Sequence, residues 1–358
     1  MMLRKTILTA ALAGVLMAPT LTAQAALTWT VTPTKSKPSS LADIDSKGSE
    51  TWAVGVDLID SYSDTRPLAF RWNGTRWVET PQPVRTNATL NSVAVAGAKE
   101  VWAVGEDHAV PEQSKPFAMR WNGTAWKVVP GPSVPAGSFS DVTIAPDGTP
   151  WVSGWADVGG REHAVVYRYT KGAWQQLTAG LENSINGNTL TVLSATDAWL
   201  GLNGGIAHFD GKSWKLVDDV PADGSHIPTG MVAAGPTDIW ASGVVHTVKG
   251  ERPLVLHYDG KAWKQVATPQ TDSQLYDITL HNNKPIAVGE KFTTSSEGIV
   301  TEHPFVIALQ NGKFAETTSP AAKIGTLTGA ESTGTRLWTV GAQRQPAADG
   351  TALAARSN

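Results

Sequence analysis

The chain has no cysteine, and that single absence removes a large block of chemistry. Disulfide scaffolds, thiolate metal sites and a cysteine nucleophile are all excluded. Charge is sparse as well: 17% of residues are Asp, Glu, Lys or Arg, and the formal balance is −3. A nucleic-acid partner calls for a basic surface, so that class is excluded too. After the first 25 residues no apolar stretch is long enough to cross a bilayer as a helix. Glycine-rich phosphate loops, zinc-binding His-Glu-x-x-His helices and Gly-x-Ser-x-Gly elbows are missing. No cofactor and no metal are therefore expected. Any catalytic set would have to be assembled from residues far apart in the sequence.

The first 25 residues have the pattern of an export leader. Arg4 and Lys5 precede an apolar run from Ile7 to Met17, and Ala23-Gln24-Ala25 is a small-x-small cleavage site. The expectation is a secreted, extracellular chain whose mature part, 26–358, forms one domain without membrane insertion. A domain of that size buries a real core without disulfides. The leader takes two of the 29 basic residues with it, which leaves 27 against 32 acidic ones.

What the sequence has in plenty is glycine, proline and tryptophan, with 34, 22 and 15 copies. These residues fall into a repeat. Trp72-Asn73-Gly74-Thr75-Arg76-Trp77 recurs as Trp121-Asn122-Gly123-Thr124-Ala125-Trp126. Related copies are Phe209-Asp210-Gly211-Lys212-Ser213-Trp214 and Tyr258-Asp259-Gly260-Lys261-Ala262-Trp263. Aromatics around Asn-Gly or Asp-Gly predict a tight hairpin. A second motif, Trp-Ala-Val-Gly in its clearest form, is headed by Trp52, Trp102, Trp151, Trp199, Trp240, Ile286 and Trp338. The spacings between these heads are 50, 49, 48, 41, 46 and 52 residues. Between the motifs run period-two apolar segments such as Leu90-Asn91-Ser92-Val93-Ala94-Val95. Seven copies of a four-stranded unit, separated by Pro/Gly breakers, predict an all-β protein: a seven-bladed β-propeller with four antiparallel strands per blade. The seventh copy stops after its third strand. Leu27-Thr28-Trp29-Thr30-Val31 matches the missing fourth strand, so the N-terminal strand is expected to close the last blade.

Fourteen of the tryptophans occupy repeat positions and are expected to pack between blades. Trp155 does not, and it stands at the mouth of a variable segment. Arg71, Arg120, Arg168, His208, His257 and Arg356 form a basic column on the third strands, for which a structural pairing with a neighbouring blade is expected. Asp43, Asp141 and Asp277, with Ser92 and Thr326 between them, form an acidic column near the central channel. It is expected to bond amides of the adjacent blade or to form a polar ring for a cation or sugar hydroxyls. The connections between second and third strands vary most: 56–66, 106–115, 155–163, 244–252, 290–303 and 342–351. Loops on a rigid scaffold commonly carry recognition. The candidate ligand-binding residues are accordingly Trp155, Tyr62, Asp57, Asp157, Arg161, His108 and Arg252.

Two resemblances follow from these residues. The hairpin Asp259-Gly260-Lys261-Ala262-Trp263 resembles a shortened Asp-box, the third-to-fourth-strand turn of sialidase-like propellers, one residue short of the usual spacing. The arginine triad and the tyrosine–glutamate pair of sialidases are not placed by any motif in this chain. The leader, the lack of cysteine and the seven degenerate Trp-Ala-Val-Gly blades together resemble the propeller lectin subunits of actinobacterial umbrella toxin particles. That second resemblance implies a non-catalytic, lectin-like subunit that meets surface carbohydrate and an adaptor protein of a larger secreted complex. The alternative is a secreted sialidase-like or lyase-type propeller enzyme acting on polysaccharide.

Overall fold

The computed structural model describes residues 27–34, 39–58, 65–83, 87–109, 113–217, 220, 222, 224–320, 324–344 and 350–358. The export leader and Tyr62 lie outside the described residues. Among the described residues every regular element is a strand. The first blade comprises β2 (Ser39–Lys47), β3 (Glu50–Leu58), β4 (Thr65–Trp72) and β5 (Trp77–Glu79). The second comprises β6 (Ala88–Gly97), β7 (Glu100–Asp107), β8 (Lys115–Trp121) and β9 (Trp126–Val129). The third comprises β10 (Gly137–Ile144), β11 (Pro150–Asp157), β12 (Glu162–Thr170) and β13 (Ala173–Gln176). The fourth comprises β14 (Gly187–Ser194), β15 (Asp197–Leu202), β16 (Gly205–Phe209) and β17 (Trp214–Leu216). The fifth comprises β18 (Ser225–Gly235), β19 (Asp238–Thr247), β20 (Gly250–Tyr258) and β21 (Trp263–Gln265). The sixth comprises β22 (Ser273–His281), β23 (Lys284–Thr294), β24 (Val300–Gln310) and β25 (Lys313–Glu316). The seventh joins β26 (Ile324–Thr333), β27 (Arg336–Arg344) and β28 (Thr351–Ser357) to β1 (Trp29–Val31) from the other end of the chain. The result is the seven-bladed propeller of the repeat.

Local chemistry explains the two motifs. The glycine of Trp-Ala-Val-Gly faces a bulge in the inner strand, where a side chain has no room. A Cβ on Gly55 would sit 2.1 Å from the Ser40 carbonyl oxygen, and one on Gly154 only 2.0 Å from that of Ser138. The fourth blade has Leu202 at this position and compensates with Gly187 directly opposite on the inner strand. In the outer hairpin the loop is four residues long, with Trp72 paired to Trp77. Only its glycine adopts the left-handed region, with φ 95° at Gly74. The Asn73 side chain folds over the turn and accepts from the Thr75 and Arg76 amides at 3.0 and 2.9 Å. Asp210 and Asp259 cap their own turns in the same way.

The core is built from inter-blade aromatic contacts. Trp52 lies 5.1 and 5.4 Å from the rings of Trp121 and Trp126 in the next blade. Trp338 meets Trp72 and Trp77 across the seventh-to-first interface, and Trp199 meets Tyr258 and Trp263. Twelve tryptophans are buried. The other three, Trp29, Trp155 and Trp174, are half-buried.

The basic column reaches a neighbouring blade at Arg356, whose guanidinium lies 5.3 Å from the Trp72 ring centroid of the first blade, but most of its members pair within their own blade. Arg71 reaches Glu50 of its own blade at 2.7 Å, with its guanidinium 5.8 Å from the Trp52 ring centroid. Arg120–Glu100–Trp102 and His257–Asp238–Trp240 repeat the clasp within their blades. The cause is register: each basic residue is the cross-strand partner of the second-strand tryptophan, and the acid stands two residues before that tryptophan.

Closure occurs as the repeat predicts. Trp29, Thr30 and Val31 pair with Ser357, Arg356 and Ala355. The Trp29 indole donates to the Thr318 carbonyl at 2.8 Å, and the Thr32 amide to that of Ala354 at 2.8 Å. Removing residues 27–33 deletes a ladder and a large aromatic, a loss of roughly 3–5 kcal/mol on the scale of single large core truncations. Thermal unfolding of that truncated chain is expected at a clearly lower midpoint, and an unchanged midpoint would contradict the closure.

Candidate functional site

The seven inner strands enclose a channel of roughly 710 Å³. On each of them the pairing with the second strand slips by one residue. The residues after the slip are Asp43, Ser92, Asp141, Thr189, Gly230, Asp277 and Gly329. The acidic column is therefore real, but Thr326 does not belong to it. Glycine holds that place in the seventh blade and gives no side chain to align on.

These residues tie blade to blade. Asp43 accepts from the Val93 amide at 2.8 Å, Ser92 from Val142 at 3.2 Å, Asp141 from Leu190 at 2.7 Å and Asp277 from Ala330 at 2.8 Å. Threonines serve the other interfaces. Thr191 donates to the Met231 carbonyl, Thr229 to that of Leu275 and Thr328 to that of Leu41. The partners are inner-strand amides and carbonyls, and every one of the seven interfaces has such a bond.

One hydroxyl constrains protonation. Ser92 Oγ lies 2.8 Å from Asp43 Oδ2 and 2.9 Å from Asp141 Oδ1. A serine has one proton to donate, so only one carboxylate can receive it; the other contact is a hydrogen bond when that carboxyl carries its own proton. Burial inside the ring pushes Asp43 up to about 6 and Asp141 to about 7, with the charge of Asp43 adding to the latter. Asp277 stands well above the carboxylate range for the same two reasons. Asp45 and Glu331, further along the channel, are raised first by burial and then by neighbouring charge, Asp45 by Asp43 and Asp141, Glu331 by Asp45 and Asp277. These side chains are half-exposed, but only to the channel. Its enclosure by protein, rather than contact with bulk water, governs their protonation. Among the described residues no group of three or more His, Asp or Glu is arranged to hold a metal ion.

At one channel mouth stands a network that no motif announced. Glu290 of β23 accepts from the Tyr276 hydroxyl and the Gln274 amide, both at 2.7 Å, and from the Thr326 hydroxyl. Burial and the Glu290 carboxylate hold the Tyr276 phenol protonated. Tyr276 occurs in a single blade, while the Glu290 position recurs as an acid only at Glu106, and Asp45 and Glu331 share one position in two blades, so repetition gave little to reveal them.

The connections between second and third strands and those between blades emerge on one side of the ring, as four antiparallel strands per blade require. The former are shorter than expected, because alternating apolar residues extend the pairing. Among the described residues, what remains outside strands is 108–109 and 113–114 in the second blade, 158–161 in the third, 203–204 in the fourth, 248–249 in the fifth, 295–299 in the sixth and 350 in the seventh. Trp155 and Asp157 lie on β11, Asp57 on β3 and Arg252 on β20. Asp57 is buried in an ion pair with Arg66 at 2.6 Å, which also holds Glu79. His108 contacts Glu106 at 3.1 Å and Ser114 at 3.0 Å. Arg252 donates to the carbonyl of Glu251. Asp157 caps its turn through the Gly160 amide at 2.8 Å, beside exposed Arg161. The structure brings Trp155, Asp157 and Arg161 together in the third blade. Asp57, His108 and Arg252 stand apart in three other blades, where Asp57 and Arg252 are held by structural bonds.

Exposed large hydrophobics divide into two sets among the described residues. Val31, Val78, Val128 and Leu216 lie on outermost strands. Val158, Ile185, Val248, Ile299 and Val300 all lie on the loop side. Trp155, half-buried on β11, is on that side too. The hairpin side carries none.

The channel makes stability depend on pH with a definite sign. The carboxyls bind protons more tightly folded than unfolded, so the folded state holds more protons between about pH 4 and pH 8, and stability falls as pH rises through that window. Asp141→Asn keeps an acceptor for the Leu190 amide and supplies a donor for Ser92. It is expected to raise the melting temperature at pH 8, to change it little at pH 5, and so to flatten the profile. An unaltered pH profile would contradict the proton assignment.

No family model matches the chain, and no curated protein matches it. Solved structures resemble it, three of them as follows. One, described as the structure of YjhT, is 13% identical with a TM-score of 0.51, over 76% of this chain and 94% of that one. Another, the structure of U3-55K, is 9% identical with a TM-score of 0.60, over 92% and 98%. The third is a protein of unknown function from Dyadobacter fermentans DSM 18053, 12% identical with a TM-score of 0.51, over 93% and 98%. At such identities the likeness shows the fold: this chain is a seven-bladed β-propeller.

Proposed function

We propose that the protein is a secreted, non-catalytic recognition propeller. In this reading it is a lectin-like subunit that engages cell-surface carbohydrate from within a larger extracellular assembly, as in the umbrella toxin particles whose propellers its sequence resembles. The observation that carries the reading is the asymmetry of the ring. One face presents Trp155 and five exposed apolar side chains from neighbouring blades, whereas the opposite face presents short polar turns. Exposed apolar residues gathered on one face mark interaction surfaces. An aromatic beside Asp157 and Arg161 suits stacking on a sugar with polar groups at its edge.

A second reading, a sialidase- or lyase-type enzyme acting on polysaccharide, has one observation in its favour. Tyr276 and Glu290 form a hydrogen-bonded pair at the channel mouth. Against it, Glu290 is already satisfied by Gln274 and Thr326, and no arginine lines the channel among the described residues.

Trp155→Ala is expected to weaken binding to target cells by about tenfold or more, the usual scale for an aromatic hot spot, while Thr124→Ala on the hairpin side binds normally. Normal binding by both, with loss on a hairpin-side change, would place recognition on the wrong face. Purified protein is expected to leave sialosides and polyuronates intact. Turnover that Glu290→Gln abolishes would establish the enzyme reading instead.

A further inference from the structure

A groove of roughly 770 Å³ runs down the flank of the ring between the second and third blades, away from the channel, and reaches the loop at Val158 and Gly159. That volume lies within the ordinary range of small-molecule sites, roughly 300–1,000 Å³. One wall is the linker 130–135, which contains Pro130, Pro132 and Pro135. The other is one face of the outer two strands of the third blade. Tyr167 stands opposite Gln176 and Tyr169 opposite Trp174, so strand geometry puts all four side chains on the same face.

Three features separate this flank from the equivalent ones. The first is Tyr167 itself. At its position the other six blades carry Phe70, Met119, Ala207, Leu256, Ile307 and Ala355, hydrocarbon that seals the interface. The third blade puts a phenol there. Tyr167 is 5% exposed, and burial raises its pKa, so the hydroxyl stays protonated. Among the described residues that hydroxyl has no protein hydrogen-bond partner, and it is open to the groove, where a ligand can meet it. The second feature is Trp174. The equivalent tryptophans Trp77, Trp126, Trp214 and Trp263 are buried, whereas Trp174 is half-exposed to the groove while its indole N–H is held by the Pro130 carbonyl at 2.9 Å. The third is charge. Asp157 lines one end and Gln176 the other, and no Lys, Arg or His lines the groove.

We propose that this groove is a binding site for a neutral saccharide. A pyranose presents apolar C–H faces to stack on Trp174 and Tyr169. Its hydroxyl edges can meet Tyr167, the Gln176 amide and the Asp157 carboxylate. The absence of any cationic side chain from the lining disfavours anionic sugars, which would meet the Asp157 charge unopposed. The stiff proline wall keeps the slot open without a ligand, so little ordering is lost on binding. The proposal rests on the lectin-like reading for its ligand class but centres on Tyr167, Tyr169, Trp174 and Gln176 rather than on Trp155, and meets the loop side only at Asp157, Val158 and Gly159.

The test is titration of the full chain with cello-, malto-, xylo- and chito-oligosaccharides, followed by tryptophan fluorescence. The variants are Tyr167→Phe, Gln176→Ala and Trp155→Ala, with a decaproline peptide as competitor. Tyr167→Phe removes one unpartnered oxygen, so its melting temperature is expected to match or exceed that of the natural chain. Its affinity for the bound oligosaccharide is expected to fall about fivefold, the worth of one net hydrogen bond. Gln176→Ala is expected to act in the same direction. If an oligosaccharide binds and only Trp155→Ala weakens it, the groove proposal is overturned and the lectin reading survives. If no saccharide binds, both fall. Decaproline binding that Tyr167→Phe and Gln176→Ala abolish, without saccharide binding, would assign the groove to a proline-rich peptide and overturn the proposal.

Discussion

Seven hydrogen-bonded junctions around the channel hold this ring in register. Each inner strand carries a bulge, and a residue at or next to it, or two residues beyond it in the case of Thr191, reaches an amide or carbonyl of the next blade. A blade alone has one edge at the channel and one at solvent, and its two faces are apolar. It is stable only when both faces are covered, which is the general condition for repeat folds. The channel bonds fix how far each blade is turned against the next. That turn sets where the second-strand tryptophan meets the hairpin aromatics of its neighbour. The Trp-Ala-Val-Gly glycine belongs to the same constraint, because it makes room for the bulge that aims the channel residue.

The carboxylates are the more demanding solution to this junction. Where threonine bridges two blades, a neutral hydroxyl does the work. Where aspartate does, acids face one another, and the junction between those of Asp43 and Asp141 is mediated by a serine with a single proton. The ring accommodates them by holding protons at a pH where exposed carboxyls have lost theirs. That gives the protein a scaffold that tightens in mildly acidic surroundings. It also explains why an acidic column in a channel need not be a cation site: the charges are reduced by protonation and tied up in amides.

The fold was legible from the sequence because each structural requirement recurs seven times. Tryptophan heads, turn glycines and the orphan strand at the N-terminus all announce themselves by position. The site was far less legible. Trp155 stood out because it broke the repeat, and the structure keeps it half-exposed on the loop side. Asp57 and Arg252 looked equally available in a variable stretch, but strand pairing extends through them and they serve their own blades. Tyr62 lies outside the described residues. Thr326 was misaligned because glycine occupies its blade's true channel position. Tyr167 was invisible, since a tyrosine in an aromatic-rich strand reads as core. Only comparison with the sealed hydrocarbon of the other six blades shows that its hydroxyl is out of place.

The central claim is that a rigid, repetitive ring carries recognition on the irregular side of its blades. Hydrogen exchange of the chain, free and bound to envelope from its target cells, addresses that claim directly. The account predicts new protection at 155–163, 244–252 and 295–303, with the hairpins at 73–76, 122–125 and 210–213 unchanged. Protection confined to those hairpins would contradict it.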